Sequence, residues 1–482
     1  MADLLLILFG GVLTLCGWLA IMVRWRGGLL GLLLFMPFAG VIVLLLHEYK
    51  WPLVLKDIVF VLPVYLSFFV IHVREIKNAP VPRTVIWALA VLTLLVMLQS
   101  LNPNVPNWLV AVIGAKIWLF YIPIVFLTAA YLRTRDDLTR LLRILVVLGL
   151  VPCTVGIFQW LGSIVYGYQN FMTGFYGEAA RGATQNFATH AYGGLLYRIP
   201  STFTFVSQYF GFTFGMIVFT YSMLRSDPNP KWRRFGAFMV AFFVLASVLS
   251  GARGALVFVP MILVLMTFID RRLTGFFAVA AFVPMIVLAA FALVGIDPEL
   301  FFGETRLLIG HYGDEIVYRN IINALVEFPF GTGIGMNTGA ARHAFDSDAV
   351  AVRQLLILEN YYAKAIVELG FIGMVSVIAV FASIIFAGFR IRERLRDTGL
   401  KGIAASVVAF FITMSIHSTK GWQLDYDPLN VYMWVFAGMM FKLPRLEANI
   451  GGAEAPREQN RNVRPARHRV PSRPLARARP QP

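Results

Sequence analysis

Charge is scarce in this chain. Asp, Glu, Lys and Arg make up 14% of its 482 residues, where a soluble protein carries about 25%. With 58% hydrophobic residues and a mean hydropathy of +0.72, that deficit excludes a water-soluble globular domain. Cysteine is nearly missing. Cys16 and Cys153 are the whole complement, both fall inside predicted helices, and neither a disulfide nor a redox compartment can be read from them. No internal repeat of solenoid length is visible. The first apolar run, Leu4 to Val23, lacks a basic flank and a small-residue cleavage site, so it reads as a retained helix.

Long apolar runs fill the rest. Spanning a bilayer takes roughly 20 residues of helix, and that length predicts helices over 4–23, 28–47, 52–72, 84–101, 108–131, 139–165, 202–224, 235–250, 254–269, 273–295, 361–389, 401–418 and 428–443. The expectation is an all-α polytopic membrane protein with 12–13 transmembrane helices. Alternate connections are basic: Arg24 to Arg26, Arg74 to Arg83, Arg133 to Arg143, Arg225 to Arg234, Asp270 to Arg272, and Arg390 to Lys401. The positive-inside rule puts these in the cytoplasm, with the N-terminus outside and the C-terminus inside. The domain reading is one membrane domain over 1–443 and a basic tail over 444–482. After Gly451 the tail has eight Arg, two Glu and six Pro, too few apolar groups to fold. The net charge of +16 therefore points to loose attraction to anionic membrane lipids and not to nucleic acid.

Two polar loops, 166–200 and 296–360, stand on the outer side of this topology. They hold Arg181, Arg198, Arg306, Arg319, Arg342 and Arg353, and the hairpin Ser250-Gly-Ala-Arg-Gly254 adds Arg253. Arginines gathered where positive charge should be scarce suggest an anionic ligand, phosphate first, because guanidinium binds its oxygens in bidentate fashion. In the larger loop, Asp314 to Glu327 reads as an amphipathic helix with Val317, Ile321, Ala324, Leu325 and Phe328 on one face and Arg319 on the flank away from it. Pro329 stops that helix, and Phe330-Gly-Thr-Gly-Ile-Gly335 makes a tight turn. No strand precedes this glycine run, so it is not a dinucleotide fingerprint. Asp346 and Asp348 resemble a metal-binding pair, though aspartates in a polar loop are usually solvated. Among ionisable groups within helices, which are functional candidates by default, Lys116 either snorkels to the outer interface or lines a cavity, and Lys364 is spaced for an i,i+4 ion pair with Glu368.

Four stretches in order carry a resemblance. They are Arg198-Ile-Pro-Ser-Thr-Phe-Thr-Phe-Val-Ser207; Leu249-Ser-Gly-Ala-Arg-Gly-Ala255; Tyr318-Arg319 with Phe328-Pro-Phe-Gly-Thr-Gly-Ile-Gly335; and Glu359-Asn-Tyr-Tyr362 followed by Glu368-Leu-Gly-Phe-Ile-Gly373. Over roughly residues 110–440 the chain resembles the O-antigen ligase and O-antigen polymerase superfamily of bacterial envelope glycosyltransferases. The resemblance implies a GT-C-like helical fold in the bacterial inner membrane and an active site at its periplasmic face. It implies transfer of a glycan from an undecaprenyl-diphosphate carrier to a sugar hydroxyl, with no metal or other cofactor. The acceptor is another glycan for polymerases or lipid A core for ligases, and other polysaccharide assembly proteins are implied as partners. Arg253 and Arg319 match the family's diphosphate-binding arginines. Arg198, Lys116 and Lys364 are expected to line the same cavity.

One departure matters. Many relatives carry a histidine before asparagine, the activator of the acceptor hydroxyl, where this chain has Glu359-Asn360. Glutamate can serve as the base if burial raises its pKa, or it can merely anchor the helix that follows. The departure favours a polymerase over a ligase. Two readings of other classes stand beside this one: a transporter or flippase for a lipid-linked glycan, and a scaffold for an export complex.

Overall fold

The computed structural model describes residues 14–46, 51–177, 197–272, 312–338 and 360–459, with isolated positions between 273 and 311. Glu359, Arg181, Arg342, Arg353, Asp346 and Asp348 lie outside the described residues. Among those described, the regular structure is entirely helical, and eight helices are long and apolar enough to cross a membrane.

In chain order the main helices are α1 Thr14–Val23, α2 Trp25–Leu45, α3 Pro52–Ile71, α4 Arg83–Ser100, α5 Trp108–Tyr131, α6 Arg135–Tyr166, α7 Tyr168–Tyr176, α8 Val206–Ser226, α9 Pro230–Leu249, α10 Ala255–Ile269, α11 Asn320–Glu327, α12 Tyr361–Arg394, α13 Thr398–His417 and α14 Leu429–Gln459. Backbone groups have no water to bond inside a bilayer, so the apolar runs must close their own hydrogen bonds as helices.

The centre of the bundle is α8. It is buried almost all round and packs against α6, α9 and α13. A helix apolar on every face belongs inside a bundle, and Phe210, Phe212, Phe214 and Phe219 fill the space towards Phe410, Tyr432 and Phe436. By contrast α4 turns Trp87, Val91, Leu94 and Leu98 outward, the pattern of a lipid-facing helix.

The basic connections meet at one end. Arg26 and Arg133 share Glu75 at 2.6 and 3.2 Å. Arg135 pairs with Asp397, Arg143 with Asp227 and Arg225 with Asp270, at 2.8, 2.7 and 2.5 Å. The last helix continues past 443 into this cluster, beyond the predicted start of the tail. Its Leu446 is buried, Arg445 donates to the Lys77 carbonyl, and Glu447 accepts from the Arg396 and Asp397 amides. Those contacts hold turns that composition alone leaves unfolded.

The other end is built from loops that enter the bundle. The 331–338 segment is buried from Thr332 onward. Its three glycines all have positive φ, +79° at Gly331, +102° at Gly333 and +83° at Gly335, as the tight-turn expectation requires. A Cβ on Gly335 would stand 2.3 Å from the Val110 carbonyl oxygen. Gly335→Ala is therefore expected to destabilise the protein by about 1–3 kcal/mol from backbone strain alone, read as a lowered thermal midpoint in detergent. An unchanged midpoint would show that the loop does not sit between α4 and α5. Gly370, at φ +79°, breaks α12 in the same place, and the freed Phe371 amide donates to the Pro329 carbonyl at 2.9 Å.

Candidate functional site

The loop end gathers three of the four sequence stretches around the start of α12. Asn360 caps that helix, its side chain accepting from the Tyr362 and Ala363 amides at 3.0 and 3.1 Å. Caps of this kind fix where a helix begins. The Tyr361 amide donates to the Ser418 carbonyl at 2.8 Å, which ties α12 to the end of α13. His417, just before, is buried between Phe210 and Phe258, beside Gly254 of the arginine hairpin.

The hairpin itself is held by the segment that carries Arg198. The Ile199 amide donates to the Ser250 carbonyl at 2.9 Å, and Gly251, at φ +70°, leaves only hydrogen's room against the Tyr197 carbonyl. Tyr168 of α7, a helix not anticipated inside the 166–200 loop, stacks on Tyr197 and donates to the Arg198 carbonyl at 2.6 Å. Arg198 and Arg253 are thus carried by touching segments, both side chains half-buried.

Arg319 reaches the region on a different element. A π-helical turn, Tyr312–Arg319, runs directly into α11, two residues longer at its start than the predicted amphipathic helix. Ile321, Ala324, Leu325 and Phe328 pack on Ala363, Ile366 and Val367 of α12. This is the anticipated apolar face, and it leaves Arg319 exposed.

A second set of buried charges lies alongside. Glu368, fully buried, accepts from Trp118 Nε1 at 2.6 Å, from the Asn337 amide at 2.8 Å and from the Thr338 hydroxyl at 2.9 Å. One carboxylate thereby joins α5, the glycine loop and α12. Lys364, also fully buried, pairs with Asp425, under the faces of Trp118 and Tyr361 at 4.9 and 5.5 Å from the ring centroids. The expected i,i+4 pair between Lys364 and Glu368 does not form, because each side chain has a better-placed partner from another element. Burial pushes the Asp425 carboxyl above its usual range in spite of Lys364.

Lys116 pairs with Asp57 of α3 at 2.5 Å instead of snorkelling. Asp57 also accepts from the Tyr121 hydroxyl at 2.7 Å and lies 3.6 Å from Lys56, which pairs with Asp427 at 2.8 Å. Sequence reasoning missed Lys56, Asp57, Asp425 and Asp427. The signal for the first two was present, since adjacent ionisable residues inside an apolar run are costly enough to mark a site.

Chemically, the loop end offers guanidinium groups on two independent supports. One is a hairpin pinned by backbone hydrogen bonds, the other a helix held by side-chain packing. Such groups can hold a phosphate and neutralise charge that grows on it. No protein-family model matches the chain, and no curated protein does.

Proposed function

We propose that this protein is a lipid-diphosphate-dependent glycosyltransferase of the O-antigen ligase-like type, acting as a polysaccharide polymerase. The single observation that carries the reading is the convergence just described. Stretches far apart in sequence meet at one end of the bundle, and they are the same stretches that resemble the family. In this reading the bundle is GT-C-like with thirteen spans, the N-terminus and the loop end face the periplasm, and the basic end faces the cytoplasm.

The reaction is a single displacement. A sugar hydroxyl of the acceptor attacks the anomeric carbon of the donor glycan. The bond from that carbon to the carrier diphosphate breaks, and the electron pair leaves on the diphosphate. Arg253 and Arg319 hold it and neutralise its gain in charge. The hydroxyl proton passes to the Glu359 carboxylate, next in sequence to the helix cap Asn360. Arg198 sits on the segment against the Arg253 hairpin and helps to bind the same anion.

The test is purified protein in nanodiscs with an undecaprenyl-diphosphate-linked repeat unit, products separated by size with and without lipid A core. Longer carrier-linked glycans without the core are expected. Product only with the core would make the enzyme a ligase, and no product from folded protein would remove the reading. Glu359→Gln is expected to slow turnover about 10²-fold with carrier binding kept. One observation favours a second reading, transport of a lipid-linked glycan: Lys56, Asp57 and Lys116 put charge inside two membrane-spanning helices, with Lys56 and Asp57 buried, and Lys56 pairs with Asp427 of a neighbouring loop.

A further inference from the structure

The amphipathic helix of the large loop has three faces, not two. At about 100° per residue, Val317 falls on the same side as Ile321, Ala324, Leu325 and Phe328, the residues that pack on α12. Arg319, Asn323 and Glu327 form a polar, exposed face. Between them runs a second apolar stripe at i, i+4 and i+8, continued by the turn. Tyr318 is 63%, Ile322 40%, Val326 76% and Phe330 86% exposed. A globular protein does not leave four large apolar groups in one row facing water without a reason.

What lies next to the stripe identifies its occupant. The Phe330 carbonyl accepts from Gln99 at the end of α4, and the neighbouring Pro329 carbonyl accepts from Phe371 of α12. Both helices are apolar enough to span a membrane. Both carry exposed apolar residues at these same ends: Leu94, Leu98 and Leu101 on one, Phe371, Ile372 and Val375 on the other. The stripe is therefore continuous with surfaces that face acyl chains. A helix with one apolar and one polar exposed face lies in the interface plane.

We propose that the Tyr312–Glu327 helical stretch rests on the bilayer, with Tyr318, Ile322, Val326 and Phe330 inserted among lipid acyl chains. Arg319 stands at the boundary between the apolar stripe and the polar face, at the depth of lipid phosphates. The inference goes beyond the glycosyltransferase reading and does not depend on it. Under that reading it adds a consequence: Arg319 meets the carrier diphosphate at its own depth, so the donor moves in sideways from the lipid.

The full chain can be tested without any activity assay. Cys16 is exposed and Cys153 buried, so Cys16→Ser gives a parent with no reactive thiol, and its residual labelling sets the baseline. Nitroxide labels on Val326→Cys, Phe330→Cys, Asn323→Cys and Ile372→Cys are then compared in nanodiscs for collision with oxygen, which partitions into lipid, and with a water-soluble nickel chelate. Labels at 326 and 330 are expected to match 372, with an oxygen-to-nickel ratio severalfold above that at 323. If 326 and 330 match 323, the stripe faces water and the proposal fails. If they are immobile and shielded from both reagents, a protein segment covers the stripe, and the proposal fails equally. Labels at two exposed positions keep the test alive if one variant does not fold.

Discussion

Arg253→Ala and Arg319→Ala are each expected to lower carrier-dependent polymer formation by about 10²–10³-fold under the proposed reaction, the usual consequence of removing one donor from a developing oxyanion. The effect falls mainly on turnover, because charge on the diphosphate is greatest as the glycosidic bond breaks. Lysine restores neither site fully. It keeps the charge but loses the planar fork that holds two phosphate oxygens at once. The two positions differ in what surrounds them. Arg253 is half-buried on a hairpin held against the Tyr197–Ile199 segment, so its lysine variant has little freedom to reposition the charge. Arg319 is exposed, so its lysine variant keeps more activity than that of Arg253. The measurement is product length and rate in nanodiscs, on variants whose thermal midpoint equals that of the parent. Full polymerisation by both alanine variants would end the diphosphate assignment.

Much of this architecture is legible in the chain because a bilayer leaves the backbone little choice. Among the described residues most of the apolar runs become helices within a few residues of the expected bounds, as with 84–101 against Arg83–Ser100, while the run expected over 273–295 lies outside the described stretches. The amphipathic helix is legible from spacing, and the turn after it from three glycines that all need positive φ. Pairing of charges is another matter. Lys364 and Glu368 are one turn apart, and local spacing makes them partners. The folded chain instead gives Lys364 an aspartate 61 residues away and Glu368 a tryptophan 250 residues away. Long-range partners depend on which helices become neighbours, which periodicity along one helix does not encode. The continuation of α14 past 443 was hidden for the same reason, since its anchors are backbone groups of distant loops.

Asp57→Ala is expected to destabilise the protein by about 3–5 kcal/mol, the cost of removing one partner from a buried ion pair. The network holds two positive and two negative groups: Lys56 and Lys116 against Asp57 and Asp427. Deleting Asp57 strands Lys116, which has no other ion pair among the described residues, and leaves the Tyr121 hydroxyl without its acceptor. The surplus charge lies between α3 and α5, beside the buried Lys56. Asp57→Asn keeps shape and an acceptor for Tyr121, so it costs less than alanine but more than a surface change. The decisive variant is Asp57→Ala with Lys116→Met, which restores neutrality with apolar groups. It is expected to recover most of the lost stability, as replacement of a whole buried pair is often near neutral. Thermal unfolding of the parent, Asp57→Ala, Lys116→Met and the double variant in one detergent gives the coupling energy of the pair. A midpoint for Asp57→Ala equal to the parent's would mean that water already solvates the network. The lysines would then be lining an aqueous cavity, and the transport reading would gain on the transferase.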